Sequence, residues 1–357
     1  MIIKDFVSFN PKGRKPTDYV NYIDTSSVED GKLIDIQCLS ENIPSRAQRV
    51  IEKGDILISS VRPILKHNYY VSQHIENGIA STGFIQIRAD RSKVIPQYLY
   101  YFLTEENKVK MYQTIAETSQ STFPSFNKDV IENMTFPDVS LAEQQHIVDI
   151  LGTLDDKIEN LEEINSKLQN YCIAKYRLLF SDVESIPLSN IAAITMGQSP
   201  AGNTLNDKDG VVFYQGRTDF GFRYPTVRLF TTDPKRMAKA GDILLSVRAP
   251  VGDVNIAAED CCIGRGIAAV SSEYNSFVYY SILNQKSDFD IYNNSGTIFG
   301  SINRDALSTF KIPAANISLI ETFESMASDV DKSIHNNTKE IDKLRTLKQT
   351  YLQKFFG

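Results

Sequence analysis

The sequence predicts an α+β fold in which two similar sheet-containing domains are separated by two long helices that form an intramolecular antiparallel coiled coil. Three observations predict this fold: an internal repeat, two stretches rich in short β-branched and aromatic runs, and two proline-free stretches with a heptad pattern. The chain has 357 residues, which is enough for two or three folding units. Its 42% hydrophobic and 23% charged residues are typical of a globular protein rather than a disordered one.

The repeat is clearest from Phe123, where FPSFNKDVIENMTFPDVSLAEQQHIV returns from Phe299 as FGSINRDALSTFKIPAANISLIETFE. The same offset continues without a gap as far as Phe180 and Phe356. Further upstream, EKGDILISSVRP is echoed by KAGDILLSVRAP at a slightly larger offset. The two halves of the chain are therefore duplicated units with loops of different length, and they predict a pseudo-twofold arrangement.

Each half contains two unlike parts. Runs such as DILISSVRPILK and GVVFYQG, broken by Gly, Pro and Asn, predict a small sheet in residues 1–137 and again in residues 183–313. The remaining stretches, residues 138–182 and 314–357, contain no proline and predict the two long helices. Ser140 stands directly before LAEQQ and is suited to cap the first helix.

Apolar residues in both helical stretches recur at alternating spacings of three and four, which predicts a coiled-coil seam. Each seam contains an asparagine, Asn165 in the first helix and Asn337 in the second. The antiparallel register that pairs the two asparagines also gives full overlap of the seams and sets Leu161 against Ile341. We therefore expect the two helices to pair with each other. The alternative is that each stripe packs only on its own neighbouring domain.

The net charge of −6 comes almost entirely from residues 138–182, which hold nine acidic and four basic residues. Residues 1–137 and 183–313 are close to neutral, so each of these domains can present a basic face. No stretch approaches the roughly 18 to 20 apolar residues of a membrane span, and we expect a cytoplasmic protein. The four cysteines show no CxxC spacing, which favours neither a disulfide framework nor a zinc site.

These features resemble the specificity subunits of type I restriction-modification systems. The resemblance covers the whole chain and rests on the half-repeat plan, the GDILISSVRP and GDILLSVRAP segments, and the junctions FPDVSLAEQQHIVDIL and IPAANISLIETFES. The second junction departs from the Glu-Gln-Gln-rich helix start of the family. The resemblance implies that residues 1–137 and 183–313 are target recognition domains, each reading one half of a bipartite, asymmetric DNA site. Residues 138–182 and 314–357 would then be spacer helix regions.

The resemblance also implies that the protein is not itself an enzyme. Two copies of a DNA methyltransferase subunit would dock on it, and a restriction/translocase subunit would complete the complex. These partners would bind S-adenosylmethionine, ATP and Mg. The sequence has no phosphate-binding loop, no HExxH zinc motif and no Asn-Pro-Pro-Tyr-type methyltransferase motif. Two alternatives remain open: a protein-interaction scaffold, and a self-contained DNA methyltransferase or nuclease with an unrecognised site.

Candidate DNA contacts are basic and small polar residues on loops, because such side chains bind phosphates and base edges. In the first domain they are Lys12, Arg14, Lys15, Arg62, Lys66, Ser119, Gln120, Ser121 and Thr122. In the second domain they are Arg217, Arg223, Arg248, Arg265, Ser295, Thr297 and Ser301. The two loops rich in Ser and Thr rank highest, because they occupy corresponding places in the repeat. No residue is assigned to catalysis or to metal binding.

Overall fold

The computed structural model of the chain describes residues 1–16, 18–119, 124–293, 300–313 and 316–357. The described chain divides into two compact units: unit 1 is Met1–Asn160 with Ile341–Gly357, and unit 2 is Leu161–Glu340. Each unit therefore contains one sheet domain together with part of both long helices. The unit boundary falls at Leu161 and Ile341, so the pairing of these two residues stays a prediction.

Unit 1 contains two four-stranded sheets and three short helices besides its parts of the long ones. Its strands are β1 (Val7–Phe9), β2 (Val20–Ile23), β3 (Val28–Glu29), β4 (Lys32–Leu33), β5 (Gln37–Leu39), β6 (Ala47–Val50), β7 (Ile56–Ser59), β8 (Tyr69–Tyr70), β9 (Gly78–Ser81) and β10 (Phe84–Ala89). Its short helices are α1 (Pro96–Thr104), α2 (Glu106–Glu117) and α3 (Asp129–Glu132). The four-stranded sheets have the orders β1-β10-β7-β8 and β5-β2-β9-β6, and β3 pairs with β4. These counts apply to the described residues.

Unit 2 contains the second set of sheets. Its strands are β11 (Ser185–Pro187), β12 (Ala193–Met196), β13 (Leu205–Asn206), β14 (Val211–Tyr214), β15 (Leu229–Thr231), β16 (Met237–Ala238), β17 (Ile243–Ser246), β18 (Val254–Ile256), β19 (Cys261–Ile263), β20 (Ile267–Ser271) and β21 (Lys311–Pro313). Its short helices are α5 (Asn275–Asn284), α6 (Asp290–Asn293) and α7 (Arg304–Thr309). The sheets have the orders β12-β20-β17-β18 and β13-β15-β14-β19-β16, and β11 pairs with β21.

The sheets of the two units follow the same plan. The order β1-β10-β7-β8 corresponds strand for strand to β12-β20-β17-β18. The repeated GDIL segments supply the central strands β7 and β17, and every residue of both strands is buried. In the second sheet of each unit, the parallel pair β2 and β9 corresponds to the parallel pair β14 and β19. The duplication seen in the sequence is therefore a duplication of sheet topology.

The long helices are α4 (Leu141–Phe180) and α8 (Ile317–Phe356), each 40 residues long. Side chains cap the start of both. The Ser140 hydroxyl accepts a hydrogen bond from the backbone N–H three residues later at 3.3 Å, as the sequence predicts for this residue. Asn316 does the same for α8, where its side-chain amide oxygen accepts a hydrogen bond from the third following backbone N–H at 3.0 Å.

Within unit 2 the two long helices run antiparallel. The Asn337 side-chain amide donates to the side-chain oxygen of Asn165 at 2.9 Å, and Asn165 is only 2% exposed. Further along α4, the ring of Tyr176 contacts the ring of Phe323 edge to face, with 5.6 Å between centroids. Moving forward along α4 therefore corresponds to moving backward along α8. The asparagines meet in the register that the sequence predicts.

We expect Asn337→Leu alone to lower the free energy of unfolding by about 1–3 kcal/mol, because it leaves the buried Asn165 amide without its partner. Asn165→Leu alone should cost less, since Asn337 is only half-buried and can turn towards water. Asn165→Leu combined with Asn337→Leu should be close to neutral or stabilising. A double-mutant cycle by urea denaturation measures these values. Strictly additive losses in the double variant would contradict a direct asparagine pair.

The last helical residue of each long helix anchors it in an aromatic cluster. In unit 2, the ring of Phe180 lies 5.0 Å from that of Phe277 on α5. In unit 1, the ring of Phe356 lies 5.1 Å from that of Tyr98 on α1. Phe180 and Phe356 correspond to each other in the sequence repeat, so the duplication places equivalent anchors at both helix ends. Burial of such large side chains is the main favourable term holding the helices on the sheet domains.

Candidate nucleic-acid interface

In unit 2, five segments meet at one end of the sheets and form a surface that we call rim 2. It comprises residues 197–199, 214–217, 247–249 and 264–266, which adjoin the ends of strands, together with residues 300–302, which contact residues 247–249. Backbone hydrogen bonds join these segments: Val247 N–H to Gly266 C=O at 2.9 Å, Gly264 N–H to Tyr214 C=O at 2.8 Å, and Ala249 N–H to Gly300 C=O at 2.9 Å. Rim 2 is thus made of loops held on a rigid scaffold, where binding residues are commonly found.

Three predicted DNA contacts, Arg248, Arg265 and Ser301, lie exposed on rim 2. Arg248 and Ser301 face each other across an antiparallel bridge. The backbone N–H of Arg265 donates to the Ser199 hydroxyl at 3.2 Å, which leaves the Arg265 side chain out of this bond. Neither arginine forms an ion pair with any residue that the structure describes. Both guanidinium groups can therefore bind a phosphate or the edge of a guanine.

Arg217 also lies on rim 2, but its charge is already compensated. Its Nε donates to the Asp253 carboxylate at 2.6 Å, and Lys286 approaches the other carboxylate oxygen at 2.5 Å. Burial acts to raise the pKa of Asp253, but the hydrogen bonds from Arg217 and Lys286 outweigh it and lower the pKa. Arg217 remains 54% exposed, so its free donors still face solvent.

The prediction that Arg223 contacts DNA is wrong. Its side chain is 2% exposed and forms an ion pair with Asp331 of α8 at 2.5 Å. Its guanidinium group lies 3.7 Å from the ring centroid of Tyr279, a cation–π contact. The residue holds the sheet domain on the helix, which residue type and loop position alone do not reveal.

In unit 1, the equivalent surface is rim 1, formed by residues 60–62, 82–83 and 124–126. Its backbone hydrogen bonds are Ser60 N–H to Gly83 C=O at 3.0 Å, Phe126 N–H to Ser60 C=O at 3.0 Å, and Arg62 N–H to Pro124 C=O at 2.9 Å. A bridge between Val61 and Ser125 corresponds to the bridge between Arg248 and Ser301. The structural counterpart of Arg248 is therefore Val61, and Arg62 lies one residue further along.

Arg62 and Lys66 flank a single helical turn and are both exposed. Both residues have left-handed backbone conformations, with φ of 47° and 52°. Such conformations are unfavourable for residues other than glycine and asparagine. Lys66 also lines a cleft of about 270 Å³. The Ser119 hydroxyl accepts a hydrogen bond from the Ser125 N–H at 3.3 Å, which places Ser119 next to rim 1.

Lys12, Arg14 and Lys15 are exposed on a segment that runs along the edge strand β6. The Lys15 ammonium group donates to the Ala47 carbonyl at 3.2 Å. A Cβ atom at Gly13 would lie 2.7 Å from Cβ of Val50, so only glycine allows this close approach. The segment brings three positive charges to the edge of the sheet.

The other predicted DNA contacts lie outside the described residues and stay predictions. They are Gln120, Ser121, Thr122, Ser295 and Thr297.

Three further arginines lie near the rims and were not predicted from the sequence. The Arg46 carbonyl accepts a backbone hydrogen bond from Thr82 on rim 1 at 2.8 Å. Arg49 on β6 and Arg236 next to β16 occupy equivalent places on the edge strands of the two units. The offset between them is that of the GDIL repeat, so extending that alignment upstream would have identified them. Burial lowers the pKa of Arg49, and its Nε has no partner among the described residues.

The described residues contain no group of three or more His, Cys, Asp or Glu side chains that could hold a metal ion. Cys38 is exposed, whereas the other cysteines are buried and unpaired. Burial raises the pKa of the Cys261 thiol to about 12, so this thiol is not a nucleophile near neutral pH. Among the helices of the described chain, none is both long enough and apolar enough to span a membrane.

Known proteins resemble the chain over about half of its length or more. It is 28% identical to a protein named as the specificity subunit of the type I restriction enzyme MjaX from Methanocaldococcus jannaschii, over 94% of this chain and 84% of that protein. It is 30% identical to the HindI specificity subunit from Haemophilus influenzae over 47% of this chain and 37% of that protein. The fold matches the solved S subunit of a type I restriction-modification system from M. genitalium, with a TM-score of 0.60 at 16% identity, over 100% of this chain and 95% of that one.

The sequence profile of the type I restriction modification DNA specificity domain matches twice, at residues 4–170 and 181–342. The two matches cover most of the chain, one on each half of the repeat. The chain therefore belongs to the family of type I restriction-modification DNA specificity subunits.

Proposed function

We propose that this DNA-specificity subunit reads a bipartite, asymmetric DNA site, with rim 1 contacting one half-site and rim 2 the other. The observation that carries the proposal is the pair of exposed, uncompensated arginines, Arg248 and Arg265, on a rim whose backbone plan recurs in unit 1. Unlike residues occupy equivalent positions, for example Val61 and Arg248. Two rims with different side chains would read different sequences, which makes the combined site asymmetric.

The protein would act as the reading part of a larger complex. In this proposal two copies of a DNA methyltransferase subunit dock on it, a restriction/translocase subunit joins them, and S-adenosylmethionine, ATP and Mg bind to those partners. The exposed face of α4 is the observation that favours a protein partner. Ile164, Tyr171 and Leu178 recur there every seven residues and are 37%, 47% and 74% exposed. Apolar side chains exposed at this spacing form a stripe suited to another protein.

Sequencing of methylated DNA tests this proposal. The chain is co-expressed with its methyltransferase partner in a host that lacks adenine methylation, and the genome is sequenced for N6-methyladenine. We expect methylation at one two-part sequence with a gap of fixed length. A single continuous motif, or no methylation beyond that given by the methyltransferase alone, would contradict the proposal.

Replacing both rim arginines should weaken DNA binding without unfolding the protein. For Arg248→Ala with Arg265→Ala we expect an affinity loss of about 10- to 100-fold for the identified duplex, because each arginine contributes a charge-assisted contact. The salt dependence of binding should also become less steep if either residue contacts a phosphate. Fluorescence anisotropy at several salt concentrations measures both effects.

Lys208→Ala with Lys239→Ala is the matched control. It removes the same charge from exposed residues that precede β14 and β17, at the end of the sheets opposite rim 2. An equal loss of affinity in both double variants would show that net charge, rather than rim 2, binds the DNA.

A further inference from the structure

In unit 2, three side chains join the sheet domain to the long helix α8, and we call them clamp 2. The Tyr280 hydroxyl on α5 donates to the Asp331 carboxylate at 3.0 Å. Arg223 from the sheet domain forms an ion pair with the same carboxylate at 2.5 Å, with the two side chains only 2% and 19% exposed. Little water can therefore reach clamp 2. Its polar groups depend on one another for their hydrogen bonds, so a small displacement of one group is costly.

In unit 1, clamp 1 has the same chemistry. The Tyr101 hydroxyl on α1 donates to the Asp155 carboxylate of α4 at 2.7 Å. Lys348 of α8 donates to the other oxygen of that carboxylate at 2.5 Å. Clamp 1 therefore ties three elements together: the helix of the sheet domain and both long helices.

The two clamps occupy equivalent places but differ in the source of the cation. Asp155 and Asp331 correspond in the sequence repeat, and α1 and α5 supply the tyrosines. The repeat aligns Lys348 with Cys172, a fully buried thiol whose pKa is raised by burial and which carries no charge. Unit 2 instead takes its cation from Arg223. The arrangement of hydroxyl, carboxylate and cation is thus kept in both halves, although different residues complete it.

Such an arrangement contributes more to geometry than to stability. A buried or half-buried ion pair gains little net free energy over apolar residues of similar volume, because desolvation offsets the attraction. Its hydrogen bonds, however, are satisfied in only one orientation of the partners. Each clamp crosses the junction between a sheet domain and its helix, so it restricts the angle between them.

We propose that clamps 1 and 2 fix the angle at which each recognition domain stands on its helices, and that they thereby determine which gap length between half-sites the protein accepts. Tyr101, Asp155 and Lys348 in unit 1, and Tyr280, Asp331 and Arg223 in unit 2, are positioning residues. The inference rests on the proposed reading of a bipartite site. A looser clamp would let a recognition domain tilt and reach a half-site that is displaced by one base pair.

Tyr101→Phe with Tyr280→Phe tests the proposal, because it removes the hydroxyl group that binds the carboxylate in each clamp and keeps both rings. The assay is methylation by the complete complex of duplexes that carry the identified site with its natural gap, or with one base pair added or removed. We expect the preference for the natural gap to fall at least about tenfold, because each clamp loses a hydrogen bond to a charged group and one such bond corresponds to about a tenfold change. An unchanged preference would overturn the proposal, even if overall activity falls.

The control is Tyr22→Phe with Tyr214→Phe. These tyrosines are 2% and 1% exposed, lie on β2 and β14, and have hydroxyl groups without partners among the described residues. The control should leave the gap preference as in the unaltered protein. An equal loss of gap preference in the control would show that removing any buried tyrosine hydroxyl has this effect. The clamps would then not determine the gap length.

A second measurement needs no DNA. Spin labels at Glu41→Cys in the sheet domain and His146→Cys on α4, in a Cys38→Ser background, report the distance distribution within unit 1. We expect Tyr101→Phe to broaden this distribution and Tyr22→Phe to leave it unchanged. If the complex reads no bipartite site but the distribution broadens, the proposed function fails while clamp 1 remains. An equally narrow distribution in Tyr101→Phe overturns clamp 1 itself.

Discussion

Asp331→Ala should lower the free energy of unfolding by about 3–5 kcal/mol, because it leaves a buried guanidinium group without its carboxylate. Arg223 is 2% exposed and cannot turn its charge to water. Burial acts to lower the pKa of Arg223, but Tyr279 and Asp331 outweigh it and the net shift is upward. The arginine therefore stays charged inside the protein. Urea denaturation followed by far-ultraviolet circular dichroism measures the loss, since the chain has no tryptophan.

Two further variants make this prediction specific. Asp155→Ala should cost less, about 1–2 kcal/mol, because Lys348 is 26% exposed and lines an open cleft where water can solvate it, which leaves the lost acceptor of the Tyr101 hydroxyl as the main cost. Asp331→Leu combined with Arg223→Met should recover most of the stability, since both charges are then removed together. Equal losses for Asp155→Ala and Asp331→Ala would contradict the difference in burial between the two clamps.

Phe323→Ala should lower the free energy of unfolding by about 3–5 kcal/mol, the usual cost of emptying an aromatic site in a packed core. The Phe323 side chain is 1% exposed, and its ring contacts those of Tyr176, Phe180 and Tyr280 at centroid distances of 5.6, 5.7 and 5.9 Å. Its removal would weaken the packing of α8 against both α4 and the sheet domain. Chemical denaturation measures the change.

Ile317→Ala is the control on the same helix. Ile317 is 60% exposed at the start of α8, so we expect a change of less than about 0.5 kcal/mol. A large loss in both variants would mean that α8 is sensitive to any apolar truncation. A loss below about 1 kcal/mol in Phe323→Ala would mean that the cluster relaxes to fill the space.

The features that recur along the chain could be predicted from the sequence. The repeat, the two long helices, the Ser140 cap and the meeting of Asn165 with Asn337 all follow from local spacing or capping chemistry. These features depend on residues close in sequence or on a register with few alternatives. The structure agrees with them because no distant loop is needed to define them.

Features set by distant contacts could not be predicted. Arg223 has the residue type and loop position of a DNA contact, and only the packing of α5 and α8 around it reveals a buried ion pair. The equivalence of Val61 with Arg248 follows from the bridges that these residues form with Ser125 and Ser301, which are contacts between segments far apart in the sequence. Arg49 and Arg236 stand apart from the motifs, although the repeat offset relates them. The role of a loop residue depends on its tertiary contacts, whereas the periodicity of helices and strands can be seen in the sequence alone.

The unlike cations of the two clamps mean that the recognition domains are not interchangeable parts. A graft of the second domain onto the helices of unit 1 would bring Arg223 towards Asp155, where Lys348 already neutralises the carboxylate. The reverse graft would leave Asp331 near the neutral Cys172 and without a cation. New combinations of half-site specificity would therefore arise most readily when a recognition domain is transferred together with the helix residues that complement its charge.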